Sequence, residues 1–266
     1  MPKQPKFSVI TPVHVSHSLR EKQLVRAMKS LTAQSFRNFE WIVINDGSLK
    51  LPKLTKGTKR ITQTHQERII AYNKGLKKAK GEWIVFLDSD DEFIPHYLEC
   101  VNQMIEKNPD YKLFNYASIH VRRNYGTAIR GVFKPKEEKV GHEVFGDGNI
   151  VNGTFCFHRS VYLDLGGYPE TKTIPDPSGK RDFLYMSNPW DFSIAAQIEF
   201  PEIVPLFTAK HPDHPKGVAR ELGNPWGNDY YIFYKYTRKY HSKPYDIPLY
   251  IVHGEGKLEG EHHVIE

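Results

Sequence analysis

Apolar residues in the first hundred positions follow two rhythms. Short runs, Phe7-Ser8-Val9-Ile10, Trp41-Ile42-Val43-Ile44 and Glu82 to Leu87, read as buried strands. Between them the spacing lengthens. Leu24, Ala27, Met28 and Leu31 fall on one stripe and predict a helix over Leu19 to Gln34. Arg68 to Lys80 reads as a second helix and Tyr97 to Lys107 as a third, with Leu98, Val101, Met104 and Ile105 inward. A short piece near Ile61 supplies a further strand, and Asn45-Asp46-Gly47-Ser48 predicts a turn. Strands spaced by helices point to right-handed βαβ units and a parallel sheet covered on both faces. In such sheets ligands bind outside the carboxyl ends of the strands. Those ends carry Thr11-Pro12, Asn45-Asp46 and Asp88-Ser89-Asp90, which should converge on one crevice.

The second half is less regular. Leu113 to Val121 reads as a strand, and Gly126 to Gly148, polar and dotted with glycine, as a loop or an excursion over the site. Val161 to Leu165 reads as a short helix ended by Gly166-Gly167, and Phe192 to Ile198 as another helical piece. After Gly223 the composition shifts to tyrosines among lysines and arginines, Tyr230, Tyr236, Tyr240, Tyr245 and Tyr250 among them.

The remaining bulk properties narrow the class. Lys plus Arg number 37 against 31 Asp plus Glu, a mild excess that favours anionic partners without an arginine-rich arm or a zinc-finger pattern, so nucleic acid is not expected. Two cysteines, Cys100 and Cys156, form neither a disulfide framework nor a CxxC site and suit a reducing compartment. The start, MPKQPKFSVI, lacks the apolar core of a signal peptide, and no run is long enough to cross a bilayer. A cytoplasmic protein is expected, at the inner face of the membrane if it works there. Nothing fixes an oligomeric state.

The stretch GEWIVFLDSDDEF carries the chemistry. An apolar strand runs directly into Asp88, Asp90, Asp91 and Glu92. Carboxylates crowded at a buried strand end repel one another unless a cation lies between them. Mg²⁺ typically takes one or two carboxylates plus substrate phosphates. In extended backbone Asp88 and Asp90 share a side and suit that task. Asp88 and Asp91 are equally placed to cap the next helix and end the strand.

Three segments in order, FSVITPVH, FEWIVINDGS and RIIAYNKGLKKAKGEWIVFLDSDDEF, strongly resemble the nucleotide-sugar half of family 2 glycosyltransferases, over roughly residues 6 to 108. A weaker echo, VNGTFCFHRSVYLDLGGYPET, extends it to about residue 171. The resemblance implies a GT-A fold, α/β with a Rossmann-like, mostly parallel central sheet, helices on both faces and a smaller acceptor-side half. It implies a domain over residues 1–222, its donor half about 1–108 and its acceptor half about 109–222, with 223–266 an aromatic-rich extension packed on it. The implied donor is a nucleotide-diphospho-sugar, UDP-linked, with Mn²⁺ or Mg²⁺. The acceptor is a glycan or a lipid-linked sugar, with peripheral membrane contact in the latter case. In this resemblance Thr11 and Pro12 cradle the base and ribose, and Asp46 hydrogen-bonds the uracil. Arg68 lies near the base or the phosphates, Asp88 meets ribose or sugar hydroxyls, and Asp90 holds the metal. Asn73 and Gly75 match a motif that packs the helix near the sugar.

The family is inverting and draws its base from a Glu-Asp pair opening a helix. Here Asn188-Pro189-Trp190-Asp191 stands in that region. With Asp191 as the aspartate, Ile194 falls at the family's leucine, Gln197 replaces an arginine and Trp190 replaces the glutamate. A register placing Asn188-Pro189 at the pair leaves no base. The helix spacing of Ile194 and Ile198 favours the first. In KHPDHPKGVAR, His214 matches a residue near the diphosphate or metal, with Arg220 at a phosphate-pairing position and His211 and Asp213 as alternatives. The tyrosine-rich tail suits a membrane interface, sugar stacking, or plain packing, of which packing is preferred. The altered pair leaves open a rival reading, a nucleotide-sugar-binding protein without catalysis. A sugar nucleotidyltransferase would want a glycine-rich loop where Thr11-Pro12-Val13-His14 stands.

Overall fold

A computed structural model describes residues 4–66, 68–124, 127–133, 152–168, 173–175, 182–184, 236–237, 239–255 and 263–264. The chain begins with β1 (Phe7–Val13), α1 (Ser18–Thr32), β2 (Phe39–Asp46), β3 (Lys59–Gln63), α2 (Arg68–Lys78) and β4 (Trp83–Phe86). It continues through β5 (Glu92–Phe93), α3 (Tyr97–Lys107), β6 (Leu113–Asn124), β7 (Thr127–Phe133), β8 (Phe155–His158) and α4 (Arg159–Leu165). Two short strands, β9 (Thr173–Pro175) and β10 (Asp182–Leu184), pair with each other, and β11 (Ser242–Glu255) and β12 (His263–Val264) return to the main sheet.

That sheet runs β12-β7-β6-β8-β4-β1-β2-β3, with β11 paired to β5 and β6. The four strands β4, β1, β2 and β3 are parallel, as the alternating pattern predicts. Beyond β4 the sheet changes character: β8 runs antiparallel to both β4 and β6, and β7 antiparallel to β6. A parallel neighbour needs a long crossover, whereas antiparallel partners are reached by short returns. The segment read as a loop from Gly126 onward is strand over Thr127–Phe133. Gly131, one of the glycines of that segment, pairs in register with His120.

Successive strand residues point to opposite faces, and both faces are covered. Ile10, Ile42, Ile44, Ile84 and Phe86 pack under α2 with Ile69, Tyr72 and Leu76. Phe7, Val9, Trp41, Val43, Trp83 and Val85 pack with Leu24, Ala27 and Leu31 of α1 and Leu98 and Val101 of α3. This two-sided burial is why these strands are apolar throughout rather than alternating. The helices are amphipathic in the expected places, with Lys77 and Lys78 in the last turn of α2, where positive charge complements the helix end.

From Ser242 on, the described part of the aromatic tail joins the sheet. β11 follows β6 in parallel from Ser242↔Leu113 to Glu255↔Arg123 and pairs antiparallel with β5. Tyr236 and Tyr250 are fully buried. Among the described residues no helix is long and apolar enough to cross a membrane.

Candidate active site at the carboxyl ends of the parallel strands

The register brings the polar strand ends side by side. Pro12 pairs with Ile44, Val13 with Asn45, and Asp46 with Gln63. On the other flank of β1, the Leu87 amide donates to the Ile10 carbonyl at 3.0 Å, which sets the Asp88 turn beside Pro12. Thr11 is wholly buried, and its Oγ1 accepts from Trp41 Nε1 at 2.9 Å, so its hydroxyl serves the core face. What this strand end brings to Asp46 is His14, with Pro12 before it, since Val13 packs into the α1 side of the core.

Asp46 sits in a dense set of donors. Its Oδ1 accepts from Gln63 Nε2 at 2.6 Å and the Gln66 amide at 2.9 Å, while Oδ2 meets His65 Nδ1 at 2.9 Å. His14 Nδ1 lies 2.6 Å from the Asp46 carbonyl, and the His14 and His65 rings stack with centroids 4.0 Å apart. The turn after Asp46 needs glycine: Gly47 has φ 77°, and a Cβ there would lie 2.6 Å from that of His65. The turn expected over Asn45 to Ser48 begins only at Gly47: Asn45 and Asp46 still belong to β2, and the Asn45 side chain bonds Ser48 across the bend.

The acidic turn is a second cluster. β4 ends at Phe86, and the Asp91 amide donates to the Asp88 carbonyl at 3.2 Å, so Asp88 to Asp91 form a turn and not the extended pair expected. Asp and Ser favour turns because their short side chains compete for local backbone bonds. Nor do Asp88 and Asp91 cap a helix: α3 starts at Tyr97 with His96 before it. Asp88 accepts from the Tyr72 hydroxyl, and its amide donates to Tyr250 Oη at 3.0 Å. Asp91, 4% exposed, accepts from the His253 amide at 2.9 Å. Asp90 forms an ion pair with Arg20 at 2.8 Å, and Arg26 bonds the Asp90 carbonyl.

The electrostatics of this turn are unfavourable as the protein alone leaves them. Burial pushes the Asp88 carboxyl up, Arg68 opposes that, and Asp90 adds to it. Asp91 is driven well above the usual carboxylate range by burial, then by the charges of Asp90 and Asp88. The Tyr250 phenol is pushed well up by burial and by both aspartates, so it stays protonated. Arg68 opens α2 two residues after Gln66, and its guanidinium lies 5.8 Å from the Tyr72 ring centroid. Its charge acts on Asp88.

Asn73 and Gly75 are buried in α2. The Asn73 side chain exchanges bonds of 2.7 and 2.9 Å with the Tyr168 backbone, tying α2 to the loop after α4. Asp191, His214 and Arg220 lie outside the described residues. Sequence reasoning missed His14, Gln63 and His65 around Asp46, and Arg20, Tyr72 and Tyr250 around the acidic turn. Only Tyr72 carried a signal, four residues after Arg68 on the same helical face. Among the described residues no three or more His, Cys, Asp or Glu side chains gather as a metal cage. The oxygen donors present are those of Asp88, Asp90 and Asp91.

Comparison with known proteins fits this arrangement. The chain is 35% identical over 134 residues to an uncharacterized glycosyltransferase of Rickettsia conorii, covering 48% of this chain and 21% of that one. It is 28% identical over 169 residues to an uncharacterized glycosyltransferase of Haemophilus influenzae, covering 60% of this chain and 55% of that one. The match therefore spans from about a fifth to about half of these relatives' length. Among solved structures, S. aureus TarS 1-349 in complex with UDP-GlcNAc superposes with a TM-score of 0.54 at 19% identity, over 86% of this chain and 73% of that one. The complex of the same protein with UDP gives 0.54 at 18% identity, over 85% and 72%. These likenesses show the fold, the α/β GT-A arrangement expected from the sequence. The family profile described as Glycosyl transferase family 2 matches residues 8–166, and the chain belongs to that family.

Proposed function

We propose that the chain is a metal-dependent inverting glycosyltransferase, moving a sugar from a UDP-linked donor to a hydroxyl of a glycan or lipid-linked acceptor. The observation that carries this reading is the acidic turn. Asp88, Asp90 and Asp91 are crowded at the carboxyl end of a parallel strand, two of them pushed up by burial and mutual repulsion, with Arg68 beside Asp88. TarS has been solved in complex with UDP and with UDP-GlcNAc, which supports the donor class.

The donor set fits Mn²⁺ or Mg²⁺. Hard carboxylate oxygens are in place for one or two protein ligands, and phosphate oxygens and water complete such a shell. A divalent ion held by Asp90 would supply Lewis-acid stabilisation of the diphosphate leaving group. In this reading Pro12 and Asp46 hold the base and ribose, while Thr11, expected there from the sequence, serves the core face and only backs them. Asp46 is fixed by Gln63 and His65 while it does so. Arg68 neutralises phosphate charge, Asp88 orients ribose or sugar hydroxyls, and His214 and Arg220 close on the diphosphate. Asp191 takes the proton from the acceptor hydroxyl. The acceptor oxygen then forms its bond to the anomeric carbon from the side opposite the diphosphate. The bond to the diphosphate oxygen breaks, and the configuration inverts.

The test is transfer and donor hydrolysis with UDP-, GDP- and dTDP-sugars, with and without Mn²⁺, beside Asp191→Asn. Turnover with a UDP-sugar and Mn²⁺ that falls at least about a hundredfold in the variant supports the reading. Equal inertness of both proteins, with UDP still bound, would establish a binding protein instead.

A further inference from the structure

The acidic turn is held from far away in the chain. Tyr250, in β11, places its hydroxyl 3.0 Å from the Asp88 amide, which donates to it. Three residues on, the His253 amide donates to Asp91 Oδ1 at 2.9 Å, and His253 Nε2 lies 2.6 Å from Glu92 Oε1. β11 also pairs with β5, the strand that leaves the turn, through Tyr250↔Phe93 and Ile251↔Glu92. The Tyr250 ring is buried, edge-on to Phe93 at 5.8 Å. Space for that ring is kept by Gly153, where a Cβ would lie 1.9 Å from the Tyr250 Cζ.

We propose that Tyr250 is a positioning residue for metal-bound donor: its hydroxyl, accepting from the Asp88 amide, fixes the turn that presents Asp88 and Asp90. The C-terminal strand is then part of the donor side of the molecule. A turn spanning Asp88 to Asp91 carries charges that repel one another, and local bonds alone do not fix it against opening. β11 ties both ends of the turn, Tyr250 Oη at Asp88 and the His253 amide at Asp91, and the Tyr250 ring is held still by core packing. The proposal rests on the reading of Asp88 and Asp90 as the metal and donor carboxylates.

The test uses the full chain with Mn²⁺ and UDP as probes. Tyr250→Phe removes the hydroxyl and keeps the ring. Tyr245→Phe is the control: it removes a hydroxyl from the same strand that accepts from Asn108 Nδ2 at 2.7 Å, against α3. Mn²⁺ binding in the presence of UDP is followed by electron paramagnetic resonance, and UDP affinity is measured separately in EDTA. We expect Tyr250→Phe to raise the half-saturating Mn²⁺ concentration about tenfold, with UDP affinity in EDTA within about twofold of wild type. Tyr245→Phe should follow the wild-type curve. A purely structural role would lower both affinities together and overturn the proposal. So would a wild-type Mn²⁺ curve for Tyr250→Phe while Asp90→Asn loses Mn²⁺ binding. If wild type itself bound UDP without any response to Mn²⁺, the underlying reading of the turn would fall too. Should Tyr250→Phe not fold, His253→Leu loosens the same turn at Glu92 and is judged by the same two measurements.

Discussion

Two buried carboxylate sites lie at opposite ends of one sheet, and their surroundings differ in sign. Glu40, near the start of β2, accepts from Ser8 Oγ at 2.5 Å, the Lys80 amide at 2.5 Å and the Gly81 amide at 3.1 Å, and pairs with Lys59. Burial works to raise its pKa, but Lys59, Ser8 and Lys80 outweigh burial and leave it below the ordinary value. At the carboxyl end of β4, burial and neighbouring acid leave Asp88 and Asp91 above theirs. The first site is complete as the protein makes it, a clasp joining β1, β2 and the loop before β4. The second is left strained by its own charges, and a perturbed acidic cluster of this kind marks a candidate functional site rather than one that only holds the fold together.

The largest expected effect is on the completed site. Glu40→Ala strips an acceptor from two backbone amides and the Ser8 hydroxyl and should cost about 2–4 kcal/mol of stability. Urea unfolding should show a lower midpoint with an unchanged slope. The next effect belongs to the strained site. Saturating Mn²⁺ with UDP, at about a hundred times the dissociation constant, should stabilise wild type by about 2.7 kcal/mol. Asp90→Asn should lose the Mn²⁺-dependent part of that gain.

The two sites should also answer pH in opposite directions. Glu40 has a depressed folded pKa, so its contribution is present above the unfolded value and fades as pH falls through the folded one. Asp91 has a raised folded pKa, so the folded state binds more protons than the unfolded one, and stability falls as pH rises above the ordinary carboxylate range. Asp91→Asn keeps an acceptor for the His253 amide. It should melt roughly 2–4 °C above wild type at pH 8, an advantage that vanishes near pH 4. The smallest effect is at the rim. Arg20→Ala removes an exposed ion pair with Asp90 and should change stability by less than about 0.5 kcal/mol, while easing Mn²⁺ binding by freeing the carboxylate.

The sequence pattern was legible where burial is periodic and local. The bounds of α3 follow from the stripe of Leu98, Val101, Met104 and Ile105, and the parallel strands from runs with both faces covered. Legibility faded where long-range pairing decides. Thr127–Phe133 becomes a strand because β6 offers it an edge, and its own composition gives little sign of that. The carboxylates of the site were visible as residues, but their partners were not. Gln63 and His65 reach Asp46 from the end of the next strand, and Tyr250 reaches Asp88 across 162 positions of sequence. No local rhythm encodes such contacts. The turn geometry escapes the pattern for a related reason: reading Asp88 and Asp90 as an extended pair overlooks the turn-forming side chains that end the strand at Phe86.

The central claim is that this turn grips a divalent ion bridging to the donor's diphosphate. Calorimetric titration of UDP into wild type and Asp90→Asn, each with Mn²⁺ and with EDTA, addresses it most directly. The account predicts that Mn²⁺ tightens UDP binding at least about tenfold in wild type and not in the variant. Equal UDP affinity in Mn²⁺ and EDTA for wild type would contradict it.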